Sequence, residues 1–175
     1  ELIRRVNADL ERGEAEFYFL YLAGIDAHLH TFGDTDAEGT ARCFKWYSEA
    51  LTELYELARK RHGSARLHVF SDHGMAPTHS TADLQSTIEA LPSRQPDDFL
   101  CLLDSTMARF WFFRQSARDQ VLSALDGNQN GRWLAAAELK PLHAWFADRR
   151  YGEEIYLMNE GPVIEPSHMG DIAPR

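Results

Sequence analysis

Two apolar runs, each ending on a cluster of metal-capable side chains, constrain this chain more than any other feature. Residues 16–25, EFYFLYLAGI, are almost continuously apolar and rich in aromatics, and residues 65–70, ARLHVF, form a shorter run of the same kind. Runs of this length read as buried strands, most naturally in a parallel sheet. Between them, Phe44, Tyr47, Leu51, Leu54, Tyr55 and Ala58 recur at helical spacing. That spacing predicts an amphipathic helix over about 40–62, with Gly63 as its stop after a basic last turn. Strand, helix, strand is a βαβ unit. Its crossover places both strand C-termini on one sheet edge, where open α/β sheets keep their sites. The first run ends at Asp26 and the second at Ser71-Asp72-His73-Gly74. The topology therefore predicts that these two clusters meet.

Elsewhere the pattern predicts a helix over 1–13, a loop over 27–39 and a short helix over 82–91. A strand pair, 98–103 and 107–113, flanks Asp104-Ser105-Thr106. Helices follow at 116–126 and 135–147, then a strand at 153–158 and a Gly/Pro-rich loop over 159–175. We therefore expect a βαβ core over 1–80, an inserted subdomain over 81–150, and a return strand and loop towards the site over 151–175. The chain opens on Glu1 and stops at Arg175 just after a proline, so a piece of a longer protein is expected.

The composition excludes several classes. At 175 residues with 44% apolar and 26% charged content, the chain is ordinary for one globular domain. No stretch nears 18 consecutive apolar residues, so no transmembrane helix is expected. A net charge of −9 argues against a general nucleic-acid-binding surface. An acidic protein still binds an anionic phosphate where metal ions supply local positive charge. Cys43 and Cys101 both fall in apolar settings and read as two thiols rather than a disulfide. That favours a reducing, cytoplasmic location.

Aspartate offers a hard anionic oxygen and histidine a neutral imidazole nitrogen, a mixed set that suits zinc and similar divalent ions. Asp26 and His30 lie four residues apart, whereas Asp72 and His73 are adjacent. Neighbours on an extended strand point to opposite faces, so the second pair serves one centre only across a turn, which Gly74 eases. Two metals about 4 Å apart suit in-line displacement at phosphorus. Four ligands are too few to close two centres, so further groups are expected elsewhere.

Gly24-Ile-Asp-Ala-His-Leu-His30 with its following Thr-Phe-Gly resembles the Asp-x-x-x-His segment of nucleotide pyrophosphatase/phosphodiesterases. Val69-Phe-Ser-Asp-His-Gly-Met75 resembles their Ser-Asp-His-Gly-Met segment, in the same order and at a similar separation. The resemblance is good over residues 16–80 and loose beyond. It implies an alkaline-phosphatase-like α/β fold: a mostly parallel sheet flanked by helices, with a smaller α+β insertion after the second motif. It also implies that Asp26 and His30 bind one metal and Asp72 and His73 the other. Two divalent ions are expected, zinc first and Mn²⁺ or Mg²⁺ as alternatives. The family also uses an upstream Asp, an upstream Thr or Ser nucleophile that becomes phosphorylated, and a last His in a His-Gly-Tyr-like segment. None has a match here, so no catalytic nucleophile is expected within this chain, and the chain alone should not turn over substrate.

Other histidines compete for roles. His28 lies nearest to Asp26 and reads as a loop residue or one that orients a ligand. His79, just after the second motif, either lies on a surface loop or touches substrate or a ligand. His168 is the late histidine available in place of the missing ligand. His68 reads as strand packing, and His62 and His143 as helix-face residues. Asp104-Ser105-Thr106 precedes no metal pair and reads as a hairpin turn. Asp126-Gly-Asn-Gln-Asn130-Gly131 imitates a calcium loop, but the twelfth position is Ala137, not Glu. Phe110-Trp111-Phe112-Phe113 reads as core.

The expected activity is hydrolysis of phosphodiester or pyrophosphate bonds in a small phosphorylated substrate. The alternatives are another reaction of the superfamily (phosphomonoesterase, sulfatase, phosphonate hydrolase or phosphoglycerate mutase) or a metal-binding module without chemistry.

Overall fold

The computed structural model describes residues 2–13 and 15–170. The end of the expected 159–175 loop, residues 171–175, lies outside the described residues. The chain divides into two compact units, Glu1–Met75 and Ala76–Arg175. Together they make a mixed α/β fold, the class that the sequence predicts.

The first unit holds three helices: α1 (Leu2–Arg12), α2 (Gly24–Phe32) and α3 (Ala37–His62). Asp36 caps α3, its Oδ1 accepting the Gly39 N–H at 2.8 Å, and four basic residues, Arg59 to His62, sit in the last turn where the helix dipole favours them. Val6 and Leu10 of α1 pack on Leu54 of α3. Tyr18 and Leu20 join this small core, while Phe17, Phe19 and Tyr21 are exposed. That alternation has the period of an extended strand with one covered face.

Neither expected strand of the βαβ unit is hydrogen-bonded into a sheet. Residues 15–22 and 64–70 carry no ladder among the described residues. Apolar composition favours a strand, but a strand exists only where a neighbour accepts its backbone groups. The expected loop 27–39 is corrected too: its first part, 27–32, belongs with Asp26 to α2, and its last residues, 37–39, open α3. Gly33 closes α2 with φ 56°, a conformation that glycine adopts without strain.

The second unit runs β1 (Ser80–Ala82), α4 (Leu84–Glu89), β2 (Phe99–Leu103), β3 (Met107–Phe112), α5 (Gln115–Asp126), β4 (Gly131–Trp133), α6 (Ala136–Leu139), β5 (Glu154–Met158) and β6 (Pro162–Ile164). β1 and β6 pair in parallel. The other four strands form an antiparallel sheet in the order β2-β3-β5-β4. Among the described residues parallel pairing is thus confined to two short strands. In β3, Ala108 and Phe110 face the core and register with Tyr156 and Cys101 respectively. Ala117, Val121 and Leu125 recur every fourth residue along α5 and cover the same core. The aromatic run divides by strand period: Phe110 is fully buried and Phe113 is exposed. The expected helix over 135–147 shrinks to α6, because Pro141 lacks an amide and His143 turns to φ 54°.

Both cysteines are free thiols. Burial pushes the Cys101 thiol up to about 12. A thiol raised above its unfolded value of about 8.5 contributes stability that is whole below that pH and is lost as pH climbs towards 12. Cys101 should therefore resist iodoacetamide at pH 8 in the folded protein and react once urea unfolds it. Rapid labelling in the folded state would contradict the burial. Among the described residues no helix is long and apolar enough to cross a membrane.

Candidate metal centre

α2 presents Asp26 in its first turn and His30 in its last. Four residues is about one helical turn, so the two side chains share a face, and His30 Nε2 lies 3.4 Å from Asp26 Oδ1. The second motif sits in an irregular turn after residues 64–70. There Ser71 Oγ donates to the His73 carbonyl at 2.5 Å, and the His73 N–H donates to Asp72 Oδ1 at 3.2 Å. These contacts curl the chain and turn both side chains to one side. His73 Nε2 then lies 3.8 Å from Asp72 Oδ2 and 3.9 Å from Asp26 Oδ1. Asp72, His73, Asp26 and His30 thus form one connected cluster within the first unit, and the His73–Asp26 approach joins the two motifs.

The chemistry of this cluster fits a cation. Asp26 Oδ1 is shielded from water and has no hydrogen-bond partner among the described residues, although two imidazole Nε2 atoms face it. A carboxylate oxygen in that position is costly without a partner. His73 Nδ1 lies 2.9 Å from the Gly74 carbonyl. Only a protonated Nδ1 donates there, which leaves the Nε2 lone pair free, as a metal-binding histidine requires. The Gly74 carbonyl, then the Asp72 and Asp26 carboxylates, hold the His73 imidazole above the ordinary histidine range. The side chains are near one another without being converged: among the described residues no group of three or more is already arranged to hold a metal.

The other histidines fall in different surroundings. His28 Nε2 lies 3.6 Å from Asp36 Oδ2 and its ring packs on Phe32. His79 belongs to the second unit. Its N–H donates to the Gly161 carbonyl at 3.1 Å and its ring covers that glycine. His168 also belongs to the second unit, where its Nδ1 accepts the Leu103 N–H at 2.9 Å. His79 and His168 thus contact the backbone of the second unit, whereas His28 faces side chains of the first. Gly161 has φ 109°, and a Cβ there would fall 1.9 Å from His79 Nε2. Gly161→Ala should therefore destabilise the second unit by more than about 1 kcal/mol. An unchanged urea midpoint would contradict this packing.

Sequence reading missed Asp36 and Gly39. The signal was present: an Asp three residues before a Gly, just ahead of an apolar helical pattern, marks a helix cap.

A mixed α/β chain whose Asp-x-x-x-His and Ser-Asp-His-Gly-Met motifs form one cluster is of the alkaline phosphatase superfamily type. Residues 2–136 match the family model of type I phosphodiesterase / nucleotide pyrophosphatase, and the chain belongs to that family. The family is one of phosphodiesterase- and nucleotide-pyrophosphatase-type hydrolases. No curated protein and no solved structure matches.

Proposed function

We propose that this protein supplies part of a metal-dependent site that hydrolyses phosphodiester or pyrophosphate bonds in a small phosphorylated substrate. Asp26, His30, Asp72 and His73 would hold two divalent cations, zinc first among them. The observation that carries this reading is the 3.9 Å approach of His73 Nε2 to Asp26 Oδ1, which links motifs from distant parts of the chain around a carboxylate oxygen that lacks a partner.

Bound cations would neutralise charge on the phosphoryl oxygens and activate an attacking oxygen. The residues of this chain do the holding. The α2 backbone fixes Asp26 and His30 on one face, and the Ser71–Gly74 turn fixes Asp72 and His73. The Gly74 carbonyl keeps the His73 proton on Nδ1. The attacking Thr or Ser and the remaining ligands would lie outside this chain.

The test is hydrolysis of a mononucleotide phosphodiester by the full-length protein with Zn²⁺, before and after exhaustive chelation. Activity should disappear on chelation and return with Zn²⁺. Activity that survives complete metal removal would refute the metal-dependent reading.

A further inference from the structure

α2 carries the candidate ligands on one face and a separate set of contacts on the other. Asp26 and His30 share a face, whereas His28, two residues from each, points to the opposite side. There its Nε2 is shielded from water, has no hydrogen-bond partner among the described residues, and faces Asp36 Oδ2 at 3.6 Å. That distance is too long for a hydrogen bond and short enough to close by a small rotation of α2. Asp36 is itself anchored, because its other oxygen caps α3 through the Gly39 N–H.

Two glycines permit this approach. A Cβ on Gly39 would fall 1.9 Å from Asp36 Oδ2 and 2.7 Å from His28 Cε1. At the start of α2, the Gly24 N–H donates to Tyr47 Oη at 3.1 Å, and a Cβ on Gly24 would fall 2.2 Å from that oxygen. Gly24, His28, Gly39 and Tyr47 line one cavity of about 380 Å³ between α2 and α3. α2 is therefore held from behind at two points, while no residue of α2 is itself buried. A helix with so little core packing takes its orientation from such contacts.

We infer that Asp36 and His28 are positioning residues: Asp36, fixed as the cap of α3, engages His28 and so sets the rotation of α2 that aims Asp26 and His30. This inference rests on the metal-dependent reading above. It assigns the back of α2 a role in cation affinity although neither residue touches the cation.

The test uses the full-length protein and three measurements: melting temperature, Zn²⁺ affinity by competition with a chromogenic chelator, and kcat with KM. Asp36→Ser keeps a capping oxygen and removes the group that faces His28. We expect Zn²⁺ affinity and kcat each to fall about 10-fold or more, as for groups that orient a metal ligand, with KM and melting temperature nearly unchanged. Asp36→Asn retains a cap and a polar partner and should recover most of the loss. Gly39→Ala favours the helix but forces Asp36 and His28 apart, so it should behave like Asp36→Ser. It must shift the Asp36 carboxylate as well, so its melting temperature is read beside its affinity. His28→Asn, which leaves the Asp36 cap untouched, should lose affinity and kcat in the same way and carries the test if either of the others fails to fold. Wild-type affinity and kcat in Asp36→Ser or Gly39→Ala, beside an inactive Asp72→Ala, would overturn the positioning role and leave the hydrolase reading standing. A wild-type protein that binds no Zn²⁺ and hydrolyses substrate as fast as its Asp72→Ala variant would overturn both.

Discussion

Replacing Asp72 with alanine in the full-length enzyme is expected to lower turnover by about 10³-fold and to leave the melting temperature within a degree or two. The two halves of this expectation have different causes. Asp72 has a largely exposed side chain whose contacts are local, to the His73 amide and ring. Little packing is lost with it, and exposed substitutions of this kind change stability by about 0.5 kcal/mol or less. Its chemical role is larger. In the proposed site its carboxylate neutralises a cation and holds it near His73, and the loss of a charged ligand exceeds the 10–100-fold effect of groups that merely orient ligands. Asp72→Asn should be nearly as damaging, since it keeps the shape and removes the charge. Zn²⁺ affinity should fall in parallel. Turnover near the wild-type value in Asp72→Ala would remove Asp72 from the site.

The second large effect is on stability. Phe110→Ala should cost about 3–5 kcal/mol, a large share of the 5–15 kcal/mol typical of a whole domain. Phe110 is fully buried at the centre of β3. It stacks on Phe112 with ring centroids 6.0 Å apart and meets Trp133 at 5.6 Å. Truncation would leave a cavity bounded by a hydrogen-bonded sheet on one side and α5 on the other, neither of which collapses easily. Urea unfolding followed by tryptophan fluorescence reads this directly, because Trp111, Trp133 and Trp145 lie in the same unit. A loss below about 1 kcal/mol would mean that Phe110 does not anchor this core.

Much of the second unit was legible in the sequence. The strand pair around Asp104-Ser105-Thr106 and the return strand at 154–158 fall where alternation and turn residues place them. So does α5, whose i, i+4 pattern is uninterrupted. β6 was not legible. Three residues bounded by Gly161 and Pro166 look like loop, and only pairing with β1 makes them a strand. The helix expected over 135–147 failed for a local reason, Pro141, that outweighs the apolar spacing around it.

In the first unit the positions of the two motifs were legible, and their local structure was not. Asp26-x-x-x-His30 fits a strand-to-loop segment and a helix equally well by composition. The helix came from the residues after Asp26 and from the Gly33 stop. The exposed faces of 15–22 and 64–70 have strand composition without strand partners.

The sequence by itself determined the residue types, their order and their spacing. Those suffice for the family and for singling out Asp26, His30, Asp72 and His73 as candidate ligands, because the chemistry of a ligand resides in its side chain and spacing survives in any linear reading. The tertiary structure alone decided that His73 approaches Asp26, that Asp36 faces His28 behind α2, and that Gly39 is there to let it. Such contacts join residues far apart along the chain, or on opposite faces of a helix, at distances of 3–4 Å. They depend on how helices rotate and pack, which no local pattern encodes.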